Sequence, residues 1–152
     1  MKTDDVSDSM PATTAPQTWV TREAAGVYRG YNERGTSVLI GSRDIEGAFS
    51  PGELLKIALA GCAGLTADRV ISRRVGADTP VIIGVRTQNH PTEDRYVQFT
   101  ETISLDLSAL DDGQRAELAA TVERALGRSC TVGSTLLAGA DVLVDIVQAE
   151  TP

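Results

Sequence analysis

The spacing of hydrophobic positions along this chain switches between a period of two and a period near four, and each switch predicts a new element. Residues 1–15 hold Asp, Ser, Thr, Ala and Pro with almost nothing to bury, and are predicted to form a flexible tail ahead of a single domain at 16–152. Residues 25–31 and 36–40 flank Asn32-Glu33-Arg34-Gly35, a polar turn with its glycine placed for a positive φ, which predicts a β-hairpin. Residues 43–49 read as a loop or a short third strand. A helix then opens near Ser50, with Ser50 as cap, Pro51 at the first helical position and Glu53 completing a Ser-x-x-Glu capping box. Leu54, Ala58, Gly61, Cys62 and Leu65 follow at spacings of three and four and share one face. No residue between Lys56 and Asp68 is charged, which predicts a helix buried nearly all round. Arg69, Arg73 and Arg74 return it to solvent before Gly76.

Two strands should follow. Residues 80–87 are rich in β-branched side chains, and 99–107 alternate apolar with polar, Glu101 being the one exception. The stretch between them, with Asn89 and His90 ahead of Pro91, reads as a loop. A second helix is predicted over 112–128, its stripe formed by Leu118, Ala119, Val122, Ala125 and Leu126. A short helical turn over 132–137 and a last strand over 141–147 complete the order. The fold class is α+β with antiparallel sheet.

Composition narrows the function. A chain of 152 residues, 41% hydrophobic and 23% charged, is large enough for a proper core. Its net charge of −7 argues against nucleic acid or an anionic membrane as partner, since both need clustered Lys and Arg. The longest uncharged apolar run, 57–67, is far short of the roughly 20 residues a membrane span needs. Met1 to Asp5 lead into polar residues and not into a secretory leader, so the expected location is cytoplasmic. In the cytosol two cysteines are expected to be free, catalytic, sensing or metal-bound, not a permanent staple.

The candidate chemistry therefore rests on Cys62 and Cys130. Cys130 precedes a short helical segment, so first-turn amides and a partial positive charge could support its thiolate. Cys62 lies about three turns into its helix, where apolar neighbours raise a thiol's pKa, so a reactive Cys62 needs an imported cation. Arg22, Arg29 and Arg34 of the N-terminal segment are the sources to consider, arginine being preferable because it stays ionised when desolvated. A cysteine in an Ala/Gly-rich helix is otherwise an ordinary small hydrophobe, and Glu53 is explained by the capping box alone. His90, the sole histidine, is expected to be solvated, and one His with two Cys at these spacings makes no zinc site.

These residues resemble the OsmC/Ohr family of thiol-dependent hydroperoxide reductases. The run from Ser50-Pro51-Gly52-Glu53-Leu54-Leu55 through Ala60-Gly61-Cys62 is similar to the family's Pro-x-Glu-Leu-Leu helix, which carries the peroxide-reacting cysteine. Ser129-Cys130-Thr131-Val132-Gly133 resembles its second-cysteine motif, and the likeness covers about residues 17–150. It implies an OsmC-like fold with two long central helices, an intertwined homodimer, and active sites at the subunit interface. It also implies an organic hydroperoxide substrate. Cys62 would become a sulfenic acid, Cys130 would resolve it as an intramolecular disulfide, and a dithiol reductant would restore both, with no bound cofactor. Arg22, shortly after Trp19, matches the family's arginine by context, and Arg34 is next. The family's arginine-binding glutamate directly follows the proline. That position is Gly52 here, and Glu53 sits one residue on, about 100° around the helix. A non-enzymic protein holding a small acyl or aromatic ligand, and a thiol redox sensor, are the alternatives.

Overall fold

The computed structural model describes residues 17–148. The expected N-terminal tail lies outside the described residues. The chain divides into two compact units, 1–54 and 55–152.

In the first unit, β1 (Thr18–Ala24), β2 (Val27–Asn32) and β3 (Ser37–Ile40) form an antiparallel sheet in that order. The hairpin expected around 32–35 is the β2–β3 connection. Gly35 takes φ +83° there, while Asn32 Oδ1 accepts the Arg34 and Thr36 amides at 3.0 and 3.1 Å. Gly30 is buried, and a methyl group in its place would meet the Ile40 and Val38 side chains at 3.3 Å. β1 was not apparent from periodicity: every one of its residues is exposed, so neither face carries an apolar signal. Its register is fixed by cross-strand pairs such as Trp19 opposite Tyr31, whose rings stack at 5.8 Å. Residues 43–49 form a loop that ends in a bridge between Phe49 and Ile40.

A long helix, α1 (Pro51–Val75), starts in the first unit and lies mostly in the second. Its capping box is present as read: the Ser50 amide donates to Glu53 Oε2 at 2.8 Å, and the Glu53 amide to Ser50 Oγ at 3.3 Å. The helix ends at Gly76, with φ +100°.

The second unit continues with the antiparallel pair β4 (Val81–Asn89) and β5 (Tyr96–Leu105), then α2 (Asp112–Ser129) and α3 (Thr131–Ala138). Leu59, Ala63, Ala67 and Ile71 make one buried stripe along α1 at four-residue spacing. Ala67 and Ile71 pack with Leu118 and Val122 of α2, and Ile103 and Leu105 of β5 close the core. His90, expected to be solvated, is half-buried, and its Nδ1 accepts the Thr92 and Glu93 amides at 3.2 and 2.9 Å.

Two expectations need correction. The uncharged part of α1 is buried on one side only: Ile57, Ala58, Gly61 and Leu65 are exposed, Leu65 to 86%. Residues 141–147 form no strand, because among the described residues no strand edge pairs with them. Their side chains are exposed, Ile146 to 93%.

Candidate active site

The second unit brings the two cysteines together. Cys62 lies on α1, one residue before the buried stripe position Ala63, and is half-buried. Cys130 is buried at the break between α2 and α3, where it ends one helix and starts the next with extended backbone (φ −83°, ψ 93°). Its amide still donates to the Leu126 carbonyl at 3.1 Å, and its carbonyl accepts the Ser134 amide at 2.9 Å. The break therefore costs little hydrogen bonding, and it turns the first amides of α3 toward the sulfurs. Both thiols are free.

The hydrogen bonds around the sulfurs are unequal. Cys62 Sγ accepts the Val132 amide, the Cys130 thiol and the Thr131 amide, and these hold Cys62 below the ordinary thiol range. Burial pushes Cys130 up. Its thiol acts as donor to Cys62, and the Gly133 amide offsets the rise only in part. The expectation that first-turn amides of α3 support Cys130 holds in part: the Gly133 amide does so, whereas the Val132 and Thr131 amides serve Cys62. The donors come from tertiary placement of α3 beside α1, which no local pattern in the sequence carries.

The other residues singled out from the sequence lie in the first unit. Arg22 is exposed on β1, opposite Tyr28. Arg29 is held by Glu23, with Nε and Oε1 at 2.5 Å. Arg34 occupies the hairpin turn, and Glu53 the capping box at the start of α1.

Beside the cysteines, a cleft of about 390 Å³ is lined by Leu59, Tyr96, Phe99, Glu101, Gly133 and Leu136, among others. Gly133 belongs to both features, since a methyl group there would meet Cys130 Sγ at 3.2 Å and Leu59 Cδ1 at 3.8 Å. Lys56 Nζ lies 5.3 Å from the Tyr96 ring centroid, a cation–π contact over the aromatic side of this cleft. Glu101 was visible in the sequence only as a break in period: a charged residue on the half-buried face of β5 that carries Phe99, Ile103 and Leu105. A thiol held below its ordinary range by amide donors, a second thiol hydrogen-bonded to it and an apolar cleft alongside can carry out two-electron sulfur chemistry.

Residues 42–145 match the family model for OsmC-like proteins. This chain belongs to the OsmC-like family. Among its relatives is an uncharacterized protein of Mycobacterium tuberculosis, strain H37Rv, 41% identical over 131 residues that span 86% of this chain and 96% of the relative. Its fold is similar to that of an OsmC-like protein from Mycoplasma pneumoniae (TM-score 0.58, 13% identity, 79% of this chain and 85% of the other). It is also similar to a provisionally named redox protein from Lactobacillus casei (TM-score 0.53, 20% identity, 88% and 89% covered). At these identities the two structures speak for the OsmC-like fold alone, and the described residues of this chain carry antiparallel sheets and three helices. Among the described residues no helix of this OsmC-like chain is long and apolar enough to cross a membrane.

Proposed function

We propose that this protein is a cytoplasmic, thiol-dependent peroxidase that reduces organic hydroperoxides to alcohols. The reading rests above all on the hydrogen bond between Cys130 and Cys62, with two α3 amides aimed at the Cys62 sulfur. A thiolate stabilised by amides is the nucleophile such a reaction needs, and a thiol bonded to it is placed to resolve the product.

The Cys62 thiolate attacks the terminal oxygen of the hydroperoxide. The O–O bond breaks, the alcohol leaves, and Cys62 becomes a sulfenic acid. Cys130 displaces water from it to form the intramolecular disulfide, and an external dithiol returns two electrons by thiol–disulfide exchange. Leu59, Phe99 and Leu136 along the cleft favour an alkyl or aryl tail on the peroxide. Arg22 and Glu53 are proposed, by the family likeness, as the arginine and glutamate that assist Cys62. A homodimer with its active sites at the subunit interface belongs to the same reading. Its support is the exposed apolar side of α1 and the exposed apolar residues of 142–147.

Turnover is the test. With cumene hydroperoxide and a dithiol in excess, wild-type protein is expected to consume peroxide catalytically, and Cys62→Ser to lose that activity entirely. One round of oxidation without turnover would favour a redox sensor. No consumption at all would reject the peroxidase.

A further inference from the structure

Glu101 takes no part in the chemistry above, yet it lines the cleft beside the two cysteines. It lies opposite Val85 in the β4–β5 ladder, on the apolar side of the sheet. Its Oε1 is sealed from solvent and has no hydrogen-bond partner among the described residues. An unpaired carboxylate in such a place is costly, whereas a neutral carboxyl is tolerable, and burial does hold Glu101 above the usual carboxylate range. The side chain borders the cleft that Gly133 shares with Cys130. It also borders a second cavity of about 280 Å³ toward α2, where Arg115 and Glu123 are the other charged residues. When ionised, Glu101 pushes both Cys62 and Cys130 up. A Cys62 thiolate and a Glu101 carboxylate are therefore mutually unfavourable, and the site holds one negative charge more readily than two.

We propose that Glu101 is the proton-transfer residue of the thiol cycle, donating to the departing alkoxide and then accepting the Cys130 proton. The proposal rests on the peroxidase reading and adds what that reading lacks, an acid for the leaving group and a base for a thiol that burial keeps protonated. As the Cys62 thiolate takes the terminal oxygen of ROOH, the electron pair of the broken O–O bond leaves on RO⁻. Glu101 protonates it to ROH and is left ionised. The carboxylate then removes the Cys130 proton, and the Cys130 sulfur bonds to the Cys62 sulfur. The S–O bond breaks, and hydroxide leaves as water with that same proton. When the dithiol reduces the disulfide, its two electrons restore the Cys62 thiolate and the Cys130 sulfur. Of its two protons, one returns to Cys130 and one to Glu101, closing the cycle.

The experiment compares two reactions of Cys62 in the full-length chain. Alkylation by iodoacetamide needs the thiolate but no acid, because iodide leaves unprotonated. Oxidation by cumene hydroperoxide needs both. Glu101→Gln is expected to be alkylated as fast as wild type or faster, and oxidised roughly a hundredfold more slowly. Equal oxidation rates in wild type and Glu101→Gln would overturn the role of Glu101 and leave the peroxidase reading standing. Equal slowing of both reactions would also overturn it, since the variant would then only have disturbed the thiol. A wild-type protein that is alkylated but inert to peroxide would remove the peroxidase reading and this role together. Should Gln not be accommodated, Glu101→Met keeps the apolar packing and is subject to the same comparison.

Discussion

At the scale of single residues, a thiol three turns into an apolar helix needs a specific reason to ionise. The dipole of α1 is spent by that depth, and uncharged neighbours oppose charge. The Val132 and Thr131 amides supply the missing stabilisation, so the Cys62 thiolate is expected to form below the ordinary thiol range of about 8.5. Alkylation of Cys62 should then rise with pH and level off before Cys130 titrates, because burial moves Cys130 the other way. Thr131→Pro tests this. Proline suits the first position of α3, and the extended Cys130 before it (φ −83°, ψ 93°) lies outside the α region that a following proline disfavours. The variant loses one amide donor to Cys62. Its alkylation midpoint should move up, and its rate at pH 7 should fall about fivefold, the equivalent of a hydrogen bond of about 1 kcal/mol. The high-pH plateau should not change. A midpoint that stays put would remove the amide from the explanation. The two cysteines could be read from the sequence because each sits in a punctuated local pattern. The amide donors could not, because which sulfur they reach depends on how α3 lies beside α1. Glu101 falls between these cases: the period broke at that residue, but only the burial of Oε1 gives the break a meaning.

At the scale of elements, local signals were dependable wherever an element carries its own caps. The Ser50 and Glu53 hydrogen bonds form as the capping box requires. A second box, not read from the sequence, starts α2, where Asp111 Oδ1 accepts the Gln114 amide at 2.8 Å and Gln114 Oε1 accepts the Asp111 amide at 3.0 Å. Ser50→Ala and Asp111→Ala should each destabilise the fold by about 1 kcal/mol, seen as an earlier urea midpoint at unchanged slope. A loss under about 0.3 kcal/mol in either variant would mean that neighbouring contacts, not the cap, hold that helix end. Signals failed where an element depends on something beyond itself. β1 is exposed on both faces and has no period to detect, whereas 141–147 has strand-like residues but no edge to pair with. The 57–67 stretch of α1 shows the same dependence, with the composition of a buried helix and one side left exposed.

At the scale of the whole molecule, those exposed apolar residues argue for a second copy of the chain. Leu65 and Ile57 on α1, with Val142, Leu143, Val144, Ile146 and Val147, are large apolar side chains left exposed, the kind of surface a partner covers. Light scattering should give a species of twice the 16.0 kDa chain mass, and Leu65→Asp should shift it toward 16.0 kDa. A wild-type monomer at micromolar concentration would contradict the dimer and the interface placement of the site, but not the Cys62–Cys130 pair, because both sulfurs and their amide donors belong to one chain. The central claim is that Cys62 and Cys130 are a redox couple, and one stoichiometric oxidation tests it. Reduced protein is treated with a single equivalent of cumene hydroperoxide per chain, its thiols are counted, and its peptides are mapped by mass. Both thiols are expected to disappear together into a Cys62–Cys130 disulfide. Cys130→Ser should stop at a trappable sulfenic acid on Cys62, and Cys62→Ser should keep its thiol. Two intact thiols in the wild-type protein after that equivalent has been added would contradict it.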